Sequence, residues 1–237
     1  MAMSFQVMTS GAFTAAHQRL VPALKLLTNL PVETVTTSIG QGDTSIPSRL
    51  RRGEVADLVI CDESWFRTFL AEGLVRAEGH AAIARSTIGF AVRAGTAPPD
   101  IATPAALRET LLRAKSIGYS ASVSGRYVTT QLFKRLGIHD EVMPKCRFVG
   151  NGQRVGTFIA NGEVEVGFQQ VSELMPIEGI AHITPLPDEL QLVTTYHAGV
   201  GSNAVHIELA ARAVHFLTSA EAVEAIRATG LIPVTAG

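Results

Sequence analysis

The sequence predicts an α/β protein of two lobes, each a mixed sheet flanked by helices, with a ligand cleft between the lobes and two hinge strands joining them. Three observations predict it. Short apolar runs alternate with segments of helical period along most of the chain, the pattern of a parallel or mixed sheet covered by helices. Two strand-like runs, "STIGFAVRAG" and "LVTTYHAGV", stand out by their similar length. The 237 residues, 46% hydrophobic, suffice for one large domain or two smaller ones with ordinary cores.

Taken in order, "SFQVMTS" reads as a strand, and the helix that follows it places Phe13, Leu20, Leu24 and Leu27 on one face, with a kink expected at Pro22. "VETVTTSI" is the next strand, "TSIPSRLRRGE" a short helix, and "VADLVICD" a continuous apolar strand of the kind buried on both faces. After the helix "WFRTFLAEGLV", the long strand "STIGFAVRAG" leads through a Pro-rich segment to a helix opening near Pro104. The second lobe then continues with the strand "KSIGYSA", a helix from Gly125 to Leu136, the strand "CRFVG", a helix over "RVGTFIANGE" and the strand "VEVGFQQ". "LVTTYHAGV" is the way back, and two helices close the chain. The expected lobes are therefore residues 1–85 with 196–237, and residues 86–195.

Composition restricts the partners. The formal net charge is −1 with only 20 Lys and Arg, so no broad basic surface is available for nucleic acid or an acidic membrane, and any anion must be bound locally. Cys61 and Cys146 lie far apart in apolar runs and read as buried thiols. The seven histidines form no HxH or HxxxH spacing, so neither a metal nor another cofactor is expected. The start "MAMSFQVMTSGAF" lacks the basic and long apolar regions of a secretory signal, and no apolar run is long enough to span a bilayer. The expected location is the cytoplasm if Met1 is the native start, and the periplasm if a leader has been removed.

In open α/β sheets ligands bind outside the carboxyl ends of strands, which directs attention to the strand-to-helix turns. Four of these share one chemistry. The first offers Ser10 and Gly11; the second, "SIGQGDTS", offers Ser38, Asp43, Thr44 and Ser45; the third, "SASVSGR", offers Ser122, Ser124, Gly125 and Arg126; the fourth, "VGNGQRVG", offers Asn151, Gly152 and Arg154. Each alone is explained as a helix cap, with Ser124 capping the third. Together they would aim N–H groups and hydroxyls at one small anion. Arg126 and Arg154 suit a carboxylate, which a planar guanidinium binds bidentately. Gln169 and Gln170 end a strand where amides can reach ligand oxygens.

The stretches "TSGAFTAA", "IPSRLRRGEVADLVI", "ARSTIGFAVRAG", "AKSIGYSASVSG", "NGEVEVGFQQVSEL" and "AVHFLTSAEAVEAIRATGL" span nearly the whole chain. As a set they resemble the type II periplasmic solute-binding proteins, in the branch of molybdate-binding receptors of ABC transporters. The resemblance implies two α/β lobes closing on a ligand, an ABC permease as partner if the protein is exported, and Ser10, Thr44, Ser45, Ser124 and Gly125 as ligand contacts. Gln170 stands about where such receptors carry a tyrosine, and Ala12 about where they carry a serine. Those departures, with the added arginines, place a molybdate or tungstate receptor behind a receptor for an organic carboxylate. Some relatives of this fold resemble aconitate isomerase, which moves a double bond by a proton shift without a cofactor. For such chemistry Tyr127, Asp43 and His197 are the candidate proton carriers.

Overall fold

The computed structural model describes residues 4–40, 42–150 and 153–236. In chain order the elements begin with β1 (Phe5–Thr9), α1 (Gly11–Thr28), β2 (Val32–Thr36), α2 (Ile46–Arg51), β3 (Leu58–Asp62), α3 (Glu63–Ala71) and β4 (Ala81–Ser86). Next come β5 (Ile88–Arg93), α4 (Pro104–Arg113), β6 (Ile117–Ser120), α5 (Val123–Tyr127), α6 (Phe133–Arg135), α7 (His139–Val142) and β7 (Cys146–Val149). The chain continues with α8 (Val155–Ala160), β8 (Val166–Gln170), α9 (Val171–Leu174) and β9 (Ile180–Pro185), and closes with β10 (Thr194–Val200), α10 (Ile207–Leu217), α11 (Ala220–Arg227) and β11 (Ile232–Pro233). Contacts divide these into two compact units, Met1–Ser86 with Thr194–Gly237, and Thr87–Val193.

The first unit holds a six-stranded sheet in the order β11-β4-β10-β3-β1-β2. Strands β2, β1 and β3 are parallel, while β10 runs antiparallel to β3 and β4. Alternation of side chains along the strands feeds two cores. Phe5, Val7, Leu58 and Ile60 face α1, α10 and α11, whereas Met8, Val59 and Cys61 face α2 and α3. With helices on both faces, every residue of β3 is buried, as its unbroken apolar run requires. Helix α1 continues through Pro22 as one element of 18 residues and ends on Asn29 in the left-handed conformation. Pro22 lies on the exposed face of the helix.

The second unit holds a five-stranded sheet in the order β7-β6-β8-β5-β9, with β6 parallel to β7 and β8, and β5 antiparallel to β8 and β9. Three local expectations are corrected here. The outgoing strand, read from Ser86 to Gly95, is the shorter β5, which pairs in the second sheet, and β4, which precedes it and pairs in the first, was not expected. Among the described residues the returning strand, β10, pairs only with β3 and β4. The helix after β6 starts at Val123, passes through a π-helical turn at Val128–Leu132 and ends in α6. Ser122, not Ser124, therefore occupies its N-cap position. Edge strand β9 lacks a strong apolar pattern and was not expected.

Both cysteines are free: Cys61 is fully buried, and Cys146 is half-buried with burial pushing its thiol up to about 11. Among the described residues no helix is long and apolar enough to cross a membrane.

His17 on α1 is buried, its Nε2 2.9 Å from the Thr34 hydroxyl on β2, and burial holds its pKa down to about 4. The unfolded chain therefore binds a proton that the fold refuses between roughly pH 4 and 6.5, and this contribution to stability rises with pH across that window. A His17→Gln variant, which keeps a hydrogen-bonding group for Thr34, should show a smaller gain in melting temperature from pH 4.5 to 7 than the parent. An equal gain would show that His17 is not the titrating group.

Candidate functional site

In the first unit the carboxyl ends of parallel β1, β2 and β3 lead into α1, α2 and α3, so three helix starts lie along one sheet edge. Ser10 sits at the N-cap position of α1 with extended backbone, its N–H donating to the Ile60 carbonyl at 2.8 Å. Its residue is 2% exposed, and its hydroxyl has no hydrogen-bond partner among the described residues. A buried hydroxyl left unpartnered at the positive end of an 18-residue helix, with no acidic residue in the first turn, suits an anion. Gly11, partly exposed, opens the helix.

The second turn is held by its own bonds. Ile46 N–H donates to the Ser38 carbonyl at 2.8 Å, and the buried Ser45 hydroxyl donates to the Gly42 carbonyl at 2.7 Å. Gly40 and Gly42 have φ of 123° and 115°, a conformation that other residues strain to adopt. Thr44 and Asp43 are exposed, and their carbonyls accept from Arg49 and Arg52. Asp62 ends β3, caps α3 by accepting from the Trp65 N–H, and is buried; the sequence reading did not single it out.

In the second unit the parallel strands β6, β7 and β8 bring Ser120, Val149 and Gln170 to one edge. Ser120, Ser122 and Ser124 form a chain of hydroxyls, each 2.9 Å from the next. Gly125 is required by close approach, since a Cβ there would lie 1.8 Å from the Ser120 carbonyl oxygen. Arg126 is exposed, with its guanidinium donating to the Ala121 carbonyl at 3.1 Å. Arg154 is partly buried at the N-cap position of α8, and Asn151 and Gly152 lie outside the described residues. Gln169 and Gln170 are both buried, and the Gln169 Oε1 accepts from the Val155 N–H at 2.9 Å.

The proton-carrier candidates scatter. The Tyr127 hydroxyl is buried, donates to the Leu190 carbonyl at 2.6 Å and accepts from Arg135 at 3.0 Å, so it ties α5 to the chain ahead of β10. His197 lies beside Cys61 in the first sheet with its ring stacked on Phe66, 5.4 Å between centroids, and burial lowers its pKa. Asp43 is on the exposed loop.

The sequence reading missed Glu173. Partly buried in the first turn of α9, its carboxyl is pushed up to about 7 by desolvation, against the pull of hydrogen bonding from the Gln169 side chain and the Gln170 backbone and of the Arg154 charge. Ser172 beside it has a buried hydroxyl with no partner among the described residues.

The comparisons with known proteins agree with this architecture. The family model described as bacterial extracellular solute-binding protein matches residues 5–232. The chain is 35% identical over 232 residues to an aconitate isomerase from Pseudomonas sp, covering 97% of this chain and 88% of that one. Among solved structures it is similar to the periplasmic molybdate-binding protein of Azotobacter vinelandii, with a TM-score of 0.78 at 15% identity, covering 97% of this chain and 99% of that one. It is also similar to the sulfate-binding protein SubI of Mycobacterium tuberculosis H37Rv, with a TM-score of 0.75 at 17% identity, covering 98% and 87%. With its two helix-flanked mixed sheets and a family match over nearly its whole length, the chain belongs to the bacterial extracellular solute-binding protein family.

Proposed function

We propose that the protein binds a small di- or tricarboxylic acid at its strand-to-helix turns and shifts a proton within it, in the manner of an aconitate isomerase. The observation that carries anion binding is the buried, unpartnered Ser10 hydroxyl at the start of α1. The aconitate isomerase, 35% identical over 97% of this chain, supports an unsaturated polycarboxylate as the ligand. Gly11, Ser38, Thr44 and Ser45 are the proposed contacts beside Ser10. Ser122, Ser124, Gly125, Gln169 and Gln170 are those of the second unit, with Arg126 and Arg154 as carboxylate clamps. The Ser45 proton is committed to Gly42, so this hydroxyl would have to rotate to donate to an anion. Tyr127 is not proposed as the proton carrier, because its hydroxyl is spent inside the second unit.

The family match favours a second reading, that of a receptor that delivers the acid to an ABC permease outside the cytoplasm. A proton NMR time course of cis-aconitate in deuterated buffer separates the two. Ligand line-broadening with deuterium incorporation and appearance of the trans isomer supports the enzyme, and broadening alone supports the receptor. Neither signal would return the search to mineral oxyanions such as molybdate. In the same assay Arg126→Ala should weaken binding about 10- to 100-fold, the worth of a charge-assisted bidentate contact. Full retention of affinity would remove Arg126 from the site.

A further inference from the structure

We propose that the second unit carries an accessory site for an α-amino acid with an apolar side chain, taken up as its zwitterion. The site is a cavity of about 380 Å³ lined by Asp100, Arg113 and Glu165 together with the apolar Val92, Pro98 and Val166. Neither the isomerase nor the receptor reading uses it.

The cavity lies at the sheet end away from the hydroxyl-bearing turns of the second unit. Val92 and Val166 pair across the strands where β5 ends and β8 begins, whereas Gln170 closes β8. Four residues of strand put about 13 Å between the two ends of β8. Both valines are buried, so the base of the cavity belongs to the sheet and its core. One wall is the end of α4, with Arg113 in the last turn. The other is the segment from Thr96 to Asp100. This second wall is tied down. The Thr110 hydroxyl donates to the Asp100 carbonyl at 2.7 Å, and the Ala102 N–H donates to Asp100 Oδ1 at 3.0 Å. Pro98 and Pro99 fix two successive φ angles. A wall already restrained loses little freedom when a ligand settles against it.

Opposite charges line this one cavity without pairing with each other. Arg113 makes no hydrogen bond or ion pair with another described residue. Asp100 Oδ1 and Glu165 Oε2 each accept one backbone N–H, from Ala102 and Lys115, which leaves each carboxylate a second oxygen without a partner among the described residues. An ammonium carries three donors and no acceptor, so two carboxylate oxygens suit it, and a planar guanidinium binds a carboxylate bidentately. A ligand with both heads satisfies all three side chains. The volume is near the lower end of small-molecule sites, enough for a single amino acid and too little for a peptide. The valines and Pro98 favour an apolar side chain, because a charged one would lose its water there without a partner.

Nitrogen–proton correlation NMR of the full chain, titrated with L-leucine, tests the site. Amide signals of residues 92–100, 110–115 and 165–166 should shift saturably, while those of residues 120–125 and 169–172 stay in place. Isocaproate, which lacks the ammonium of leucine, and isoamylamine, which lacks its carboxylate, should each bind at least about 10-fold more weakly. Arg113→Gln and Glu165→Gln should each weaken L-leucine by about 10-fold or more. The glutamine at 165 keeps an oxygen for the Lys115 N–H, so the backbone contact survives. Shifts that do not saturate by about 10 mM, or that persist unchanged in both variants, overturn the proposal. So do shifts centred on residues 120–125, which would place the amino acid at the anion turns, and tighter binding of L-aspartate than of L-leucine. Should a variant fail to fold, the two analogues decide: weaker binding of both supports the zwitterion site, and equal binding of either overturns it.

Discussion

Gly125→Ala is expected to melt about 10 °C or more below the parent protein and to lose carboxylate binding. The added Cβ would stand 1.8 Å from the Ser120 carbonyl oxygen and 2.7 Å from its carbon, both backbone atoms at the end of β6. No rotamer relieves a clash with backbone, so β6 and α5 must separate. Overpacking of this kind costs about 3 kcal/mol or more, which for a chain of this size corresponds to roughly 10 °C. Thermal melting checks the size of the effect. Amide hydrogen exchange checks its place, since protection should fall first along β6 and α5. A variant that melts with the parent would mean that the two elements have room to part.

Asp57→Ala should be comparably damaging in the other unit. Asp57 is fully buried just ahead of β3, and its two carboxylate oxygens accept three backbone N–H groups: Gln6 at 2.8 Å, Val205 at 2.9 Å and His206 at 2.8 Å. Removing the carboxylate strands three donors, at about 1 to 3 kcal/mol for each that water cannot reach. The expected loss is about 3 kcal/mol or more, with faster exchange at the Gln6, Val205 and His206 amides. A small loss together with unchanged exchange at these amides would show that solvent replaces the carboxylate. The residue ties the first strand to the segment before α10, which lies 148 positions beyond Asp57 itself, and so holds together a unit drawn from both ends of the sequence.

Most strands and long helices were legible because their signals are local. The unbroken apolar run of β3, the helical spacing of Phe13, Leu20 and Leu24, and the threonine and proline that open α4 depend on residues a few positions apart. The strand β4, which ends at Ser86, was not legible as separate from β5. Strand propensity runs through Ser86, Thr87 and Ile88 without interruption, and what changes there is the hydrogen-bonding partner. Gly125 was visible as an unusual residue at a helix start, yet a glycine that admits a ligand and one that admits a carbonyl oxygen have the same letter.

Residue order and elementary chemistry thus sufficed for the α/β class and the positions of the hydroxyl-bearing turns. Those properties follow from periodicity and composition, which tertiary contacts do not alter. Packing alone set the state of Glu173. In the sequence it is an acidic residue at the start of a short helix, indistinguishable from a solvated cap. The structure partly buries it beside β8, where the cost of desolvating a charge exceeds what Gln169, Gln170 and Arg154 return. Desolvation is a sum over neighbours distant in the chain, so no local pattern carries it.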